Sequence, residues 1–376
     1  MMRRLLEYQA DQIEAVLASH KAPVRVTGGR VLPQLVQFDL SPAQGVSVRQ
    51  VQRHSEEVAL ALGVSNARVT RQGGTLFLQV PHPSPKPVHL LDLQRRLTRV
   101  PLHTAILGMD ETGAPLLLRL PSPEVAHVLI AGTTGSGKTV LVRSMVLSLA
   151  MNNRSHQLQM VLMDPKGHSF SPLNQLPHLL QPVVTNATEA LVLLANLVRE
   201  MERRDGIQDP RPRVVVVIDE LADLALVGGK TMERFLTRLV QRGREAGIHI
   251  VACTQKPTAA VIGSLVKANF PARLVGAVVS PEDAKVATGV SGTGAERLNG
   301  RGDFLLVVRG DVIRLQAAYI SVTEMEKVDN NLSFGAPQRR SGNHGRSTRE
   351  KVIRLAETLR AGVARQMELW QHQASA

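Results

Sequence analysis

Apolar positions follow two kinds of pattern along the chain, and the change from one to the other divides it. Residues 5–20 place Leu6, Ile13, Val16 and Leu17 on one side of a helix. From 24 to 80 the pattern shifts. Residues 34–40 and 75–80 read as strands with a helix over 48–62 between them, which predicts a small α+β module. The run Pro81-His-Pro-Ser-Pro-Lys-Pro87 then predicts a stiff connector of the kind that separates domains. After a short helical stretch at 90–97, apolar runs at 128–131, 158–163, 214–218, 248–253 and 273–279 alternate with helix-compatible segments at 140–151, 188–204 and 231–245. Most of these runs are unbroken, as in parallel strands covered on both faces. This half of the chain therefore predicts a doubly wound, mostly parallel sheet. Residues 304–308 and 312–316, joined by Arg309-Gly310-Asp311, predict a closing hairpin.

Beyond about residue 323 the composition turns polar. Residues 330–346 read as a flexible linker, and Ser347-Thr-Arg-Glu350 has capping-box spacing before one helix at 352–370. The expected organisation is an N-terminal helix over 1–22, a small α+β domain over 23–100, an α/β domain over 101–322, and a linker with a terminal helix over 323–376.

Composition narrows the chemistry. Apolar residues make up 43% and charged residues 20% of 376, as in a soluble globular protein. Cys253 is the only cysteine and ends an apolar run, so neither an intrachain disulfide framework nor a thiolate metal cluster is available. The start of the chain lacks the apolar core of a signal peptide, and no run approaches the ~18 apolar residues of a membrane span. The expected compartment is a reducing cytoplasm. A net charge of +13 favours a polyanionic partner, nucleic acid or an anionic membrane surface, with a solubilising surface as the competing explanation. Aromatics, at 3%, supply few stacking platforms for unpaired bases.

The most specific segment is Gly132, Thr133, Thr134, Gly135, Ser136, Gly137, Lys138 and Thr139, set between an apolar strand and an apolar helix. In that context the pattern predicts a phosphate cradle. Glycines let backbone amides turn onto a polyphosphate, the helix start adds partial positive charge, Lys138 reaches the β- and γ-phosphates, and the Thr139 hydroxyl ligates Mg²⁺. ATP and Mg²⁺ are the expected cofactors. A second strand, 214–218, delivers Asp219 and Glu220 at its carboxyl end, the edge where open α/β sheets bind ligands. Asp219 suits the Mg²⁺ shell and Glu220 suits polarisation of an attacking water. A third strand ends at Thr254-Gln255-Lys256-Pro257, where Gln255 is placed to sense the γ-phosphate. Asp164 and Lys166 end a fourth, either to orient phosphate or simply to make a turn.

These motifs, in this order, resemble the motor domain of the FtsK/SpoIIIE family of DNA translocases. The resemblance covers residues of about 100–320 through His127–Thr139 (HVLIAGTTGSGKT), Met163-Asp-Pro-Lys166, Pro177-His-Leu-Leu180, Asp219-Glu-Leu-Ala-Asp223, Arg244-Glu-Ala-Gly-Ile-His249, Thr254-Gln-Lys-Pro257, Lys267-Ala-Asn-Phe-Pro-Ala-Arg273 and Gly300-Arg-Gly-Asp303. Residues 36–48 and 60–63 are similar to the small domain that precedes this motor. The resemblance implies a RecA-like P-loop NTPase fold, ATP hydrolysis, and stacked hexameric rings of this chain around double-stranded DNA. It also implies ATP bound between subunits with an arginine contributed by a neighbour. Arg273 is the expected arginine; Lys285 stands where the family pattern has an arginine. Lys256 and Lys267 are the expected DNA contacts, with Arg242 and Arg244 as alternatives. The chain departs from the best-known members in showing neither a membrane-spanning region nor a winged-helix module.

Three functions remain open at this stage. The first is an ATP-driven duplex translocase working as a ring. The second is a coupling or packaging ATPase that feeds DNA into a conjugation channel or capsid, with a channel, capsid or recombination partner. The third is a nucleotide-gated DNA-binding scaffold that hydrolyses little, which Glu220 disfavours.

Overall fold

The computed structural model describes residues 2–32, 35–255 and 269–334. The chain divides into two compact units: Met1–Pro87 together with Glu111–Gly113, and Val88–Asp110 together with the chain from Ala114.

The first unit comprises α1 (Met2–Ser19), β1 (Val24–Val31), β2 (Leu35–Pro42), α2 (Val48–Arg53), α3 (Ser55–Leu62), β3 (Arg68–Gln72) and β4 (Thr75–Pro81). Its antiparallel sheet has the order β1-β2-β4-β3. Ile13 and Leu17 of α1 are fully buried against Phe38, Leu40, Leu76 and Leu78, as the helical stripe requires. The expected helix over 48–62 divides at His54, whose backbone (φ −100°, ψ 21°) separates α2 from α3. Ser47 starts α2 with a reciprocal capping box through Gln50. Sequence pattern missed β1 because Gly28-Gly29 and exposed polar positions erase its alternation.

The second unit comprises β5 (Val88–His89), α4 (Leu90–Arg96), β6 (Thr104–Asp110), β7 (Pro115–Arg119), β8 (Val128–Ala131), α5 (Lys138–Asn152), β9 (Leu158–Met163), α6 (Ala187–Arg203), β10 (Arg213–Ile218), α7 (Leu221–Arg242), β11 (Ile248–Thr254), β12 (Ala272–Val275), α8 (Pro281–Thr288), β13 (Asp303–Val308), β14 (Asp311–Tyr319) and α9 (Val322–Phe334). The sheet order is β7-β6-β14-β13-β12-β8-β11-β10-β9, with β5 paired to β14. The run from β12 to β9 is parallel. The β13–β14 hairpin and the β6–β7 hairpin add antiparallel strands beside it, so the sheet is mixed.

The parallel strands are apolar throughout because consecutive side chains enter two different cores. Val128, Ile130, Met160, Leu162, Val215, Val217 and Leu274 join the core covered by α4, α5 and α9. Leu129, Val161, Met163, Val214, Val216, Ile218 and Ile250 join the core covered by α6 and α7. Helix α5 is apolar on all sides and buried along most of its length. Its two core serines are satisfied: Ser144 Oγ donates to Ala318 O at 2.7 Å, and Ser148 Oγ accepts from Ile106 N at 3.0 Å.

Several boundaries differ from those expected. Leu90 and Leu93 of α4 sit in the core of the second unit, so this helix, placed by sequence with the small domain, packs with the α/β unit. Helix α7 begins at Leu221 rather than 231; it is interrupted at Gly229 (φ 46°, ψ −134°), and only the part beyond the break was legible. The strand expected over 273–279 stops at Val275, because the chain there turns against the loop that follows β8. The tail expected to loosen from about 323 continues as α9, with Met325 buried in the core. The predicted helix over 352–370 lies outside the described residues. Among those that are described, no helix is long and apolar enough to cross a membrane.

Candidate nucleotide site

Strands β8, β9, β10, β11 and β12 run parallel, and β9 and β10 end two residues short of the other three. Ala131 pairs with Thr254 and Val275, and Ile218 pairs with Ala252 and Met163. The phosphate loop, Asp164, Asp219, Glu220 and Gln255 therefore emerge at one edge of the sheet. Residues 132–137 leave β8 and enter α5, with Gly137 (φ 98°) as the helix cap. The loop is tied down on two sides. Gly132 N donates to Thr254 O at 3.2 Å, and Thr133 gives both its amide (2.8 Å) and its hydroxyl (3.0 Å) to Ala277 O. The first-turn amides of α5 have no intrahelical acceptors, as at any helix start, and are suited to an anion.

Lys138 begins α5 and is buried. Its Nζ donates to Gly132 O at 2.7 Å, folding the side chain back over the loop. Burial holds its ammonium below the ordinary lysine range, opposed by the negative charges of Glu220 and Asp219. Those two acids therefore lie within electrostatic reach of Lys138, and Thr139 follows it, half-buried.

Asp219 leaves β10 with its amide on Met163 O at 3.0 Å, and its Oδ2 accepts from Ser169 Oγ at 2.9 Å. Burial first, and then the like charge of Asp164, raise its carboxyl above the usual range. Glu220 caps α7: Oε1 accepts from Ala222 N at 3.3 Å and Oε2 from Gln255 N at 3.0 Å. Gln255 in turn takes a hydrogen bond on Oε1 from Thr134 Oγ1 at 3.1 Å. The phosphate loop, the second acid and the end of β11 thus form one connected chain of contacts.

The loop after β9 was the least legible part of the site. Asp164 is fully buried and accepts from the amides of Gly167 (3.0 Å), Ser169 (2.7 Å) and Phe170 (3.1 Å). It shapes the turn rather than facing a phosphate. The side chain of Phe170 anchors the loop in the core, worth about 1.5–3 kcal/mol of apolar burial. Arg143 of α5 donates to the carbonyls of Ser169 (2.6 Å) and His168 (3.1 Å). Ser169 and Arg143 were missed because neither carries a motif; only the fold brings them to Asp219. Lys166, half-exposed, pairs with Asp223 Oδ2 at 3.1 Å in the first turn of α7.

Arg273, the expected trans arginine, faces inward in this chain. It lies on β12 with 8% exposure, and its guanidinium bonds to the carbonyls of Phe270 (3.3 Å), Ala287 (3.3 Å) and Val286 (3.5 Å). Its side chain serves the last turn of α8 in its own chain, and withdrawing it would strip buried carbonyls of their donor. Lys256 and Lys267 lie outside the described residues. Cys253 is buried, with its thiol pushed upward by burial, so it is an inert core residue.

The donor set matches a hard cation. Thr139 and Asp219 offer oxygen ligands, and Asp219, raised first by burial and then by the nearby Asp164, is a carboxylate whose charge a cation would stabilise. Among the described residues no cluster of three or more His, Cys, Asp or Glu is arranged to hold a metal. A phosphate-bound Mg²⁺ needs only one or two protein ligands.

Comparison with known proteins agrees with this geometry. The sequence pattern of the FtsK/SpoIIIE family matches residues 90–209 and 205–259, and that of the FtsK alpha domain matches residues 2–83. The chain is 34% identical over 358 residues to the DNA translocase FtsK of Staphylococcus aureus, covering 86% of this chain and 45% of that protein. It is 34% identical over 362 residues to the DNA translocase SftA of Bacillus subtilis, covering 88% of this chain and 38% of that protein. The chain thus spans less than half the length of these curated relatives. In fold it is similar to the pCW3 conjugation coupling protein TcpA in its monomer form with ATPγS (TM-score 0.58, 18% identity, 85% of this chain and 98% of that one). It is also similar to the cytoplasmic domain of the type VII secretion ATPase EccC of Thermomonospora curvata (TM-score 0.57, 22% identity, 66% and 34%). With a phosphate loop, two strand-end acids and a small preceding unit that all match one family, the chain belongs to the FtsK/SpoIIIE family.

Proposed function

We propose that this protein couples ATP hydrolysis to movement along double-stranded DNA, as a ring of identical subunits, a hexamer by analogy with its family, in the cytoplasm. The observation that carries the reading is the contact chain Thr134–Gln255–Glu220. It links the loop that would hold the phosphates to the acid that would activate water, and it does so through the residue immediately before the segment 256–268. A change at the γ-phosphate therefore has a physical route into the segment that contains Lys256 and Lys267, the proposed DNA contacts.

In this reading the loop amides and Lys138 bind the phosphates, and Thr139 and Asp219 hold Mg²⁺, which supplies charge neutralisation of the phosphates when bound. Ser169 orients Asp219. Glu220 takes the proton of the attacking water, and Gln255 carries the state of the site outward. Basic side chains grip phosphates without reading bases, so movement is independent of sequence.

The test is steady-state ATP turnover with and without duplex DNA across a salt titration. Turnover is expected to rise with duplex and to lose that stimulation steeply between about 50 and 200 mM salt. Turnover indifferent to DNA at every salt concentration would remove the translocase reading. Stimulation by single strands in preference to duplex would favour the coupling or packaging reading, which the shared fold of the conjugation protein keeps in view.

A further inference from the structure

The turn that leads into the β13–β14 hairpin runs against the phosphate loop. The amide of Arg301 donates to Gly135 O at 2.9 Å, and the amide of Gly302 donates to Ser136 O at 2.8 Å. The approach is too close for side chains. A Cβ on Gly137 would lie 2.7 Å from Gly302 N, and one on Gly300 would lie 3.1 Å from Gly135 O. Arg301 holds φ +51°, a conformation uncommon for a residue with a side chain.

This turn is itself held from behind. Gln316 Nε2 donates to Arg301 O at 3.0 Å, and Ala317 N donates to Gly302 O at 2.7 Å. Asp303 is buried; it accepts from Asn299 N at 3.0 Å and forms a two-point pair with Arg314, through Nε at 2.8 Å and a terminal nitrogen at 2.7 Å. Bidentate pairs of this kind fix orientation as well as distance.

The consequence lies in the peptide planes. In a planar trans peptide the N–H points opposite to the preceding C=O. Anchoring Ser136 O on the turn therefore aims the Gly137 amide away from the turn, while the Ser136 amide, opposite the anchored Gly135 O, closes the loop on Thr133 O at 3.2 Å. We propose that residues 299–303 are a brace for the phosphate loop, and that Asp303 and Arg314 are positioning residues for ATP binding, acting through the backbone of Arg301 and Gly302. Neither side chain touches the nucleotide. The inference rests on the reading of 132–139 as the phosphate cradle.

The test is calorimetric titration of the full chain with ATPγS, alongside ATPase kinetics and thermal unfolding without nucleotide. Arg314→Lys keeps the charge and loses the two-point geometry. It is expected to weaken ATPγS about tenfold and to raise KM for ATP far more than it lowers kcat. Gln316→Ala, which removes only the support to Arg301 O, is expected to weaken ATPγS by a few-fold with the unfolding midpoint unchanged. If Arg314→Lys fails to fold, Gln316→Ala decides the matter. Wild-type affinity in Gln316→Ala and in folded Arg314→Lys, or a loss confined to kcat, would overturn the brace. Failure of the wild-type chain to bind ATPγS would instead overturn the phosphate-cradle reading beneath it.

Discussion

The main-chain amide of Gln255 donates to Oε2 of Glu220 at 3.0 Å, so the acid that ends β10 is held by the residue that ends β11. Oε1 of the same carboxylate accepts the amide of Ala222. Both oxygens are thereby oriented while each keeps a free lone pair. Among the described residues no ion pair holds this carboxylate, which suits a group that must accept a proton.

Replacing Glu220 by Gln separates shape from basicity. The amide oxygen can still accept from Gln255 N or Ala222 N, but the side chain no longer takes a proton at neutral pH. ATP affinity is expected to stay within about threefold while kcat falls roughly 10²–10⁴-fold, the usual worth of a general base. Binding and single-turnover measurements on the same preparation check this, and near-normal turnover would remove Glu220 from the chemistry.

The Thr134–Gln255 bond makes a separate prediction. Thr134→Val is nearly isosteric and deletes only the hydroxyl donor to Gln255 Oε1. The ratio of DNA-stimulated to unstimulated turnover is expected to drop several-fold. An unchanged ratio would show that the contact carries no signal.

Acid sensitivity follows from histidines at the other end of the sheet. His249 Nδ1 bonds to Ala126 O at 2.9 Å, and His127 Nδ1 accepts from Ile250 N at 3.1 Å. Burial lowers His127 to about 4 and His249 to about 3, against about 6.5 in the unfolded chain. Below pH 6.5 the unfolded chain binds protons that the folded chain refuses, so stability falls as pH falls. The loss is at most roughly 1.4 kcal/mol per pH unit for each histidine, until the folded group also titrates. Denaturant midpoints between pH 7 and 4.5 should drop steeply, and a His249→Asn variant that folds should show a shallower slope.

One buried ion pair tests the scaffold alone. Arg204, 3% exposed, donates to Glu200 Oε1 at 2.6 Å, Pro212 O at 2.9 Å and Ala246 O at 3.0 Å. Glu200 keeps Arg203, which donates to Oε2 and Oε1 at 2.7 Å each, so Arg204→Ala strands chiefly two buried carbonyls and is expected to cost about 2–5 kcal/mol. Adding Glu200→Leu should recover little of the loss in equilibrium unfolding, because the cost lies on the carbonyls; a large recovery would place it on the carboxylate.

Short-range chemistry was legible in the sequence wherever one segment contains its own reason. The phosphate loop is contiguous, and the unbroken valines of 214–217 can only be a strand buried on both faces. Pattern failed where a segment is shaped by something distant. Strand β12 ends early because Gly276 passes the phosphate loop, with space for no Cβ beside Ser136. Helix α9 looks like polar tail, yet Met325 reaches the core.

What the sequence determined by itself is the contiguous glycine-rich loop, the strand-end acids proposed to serve it, and the parallel strands that deliver them to one edge, because all are written in local order. Only the tertiary structure decided that Ser169 serves Asp219 and that Asp303 and Arg314 stand behind the phosphate loop. It also decided that Arg273 turns inward. Each of these depends on a partner far away in the chain, and hydrogen bonds between distant segments leave no periodicity to read.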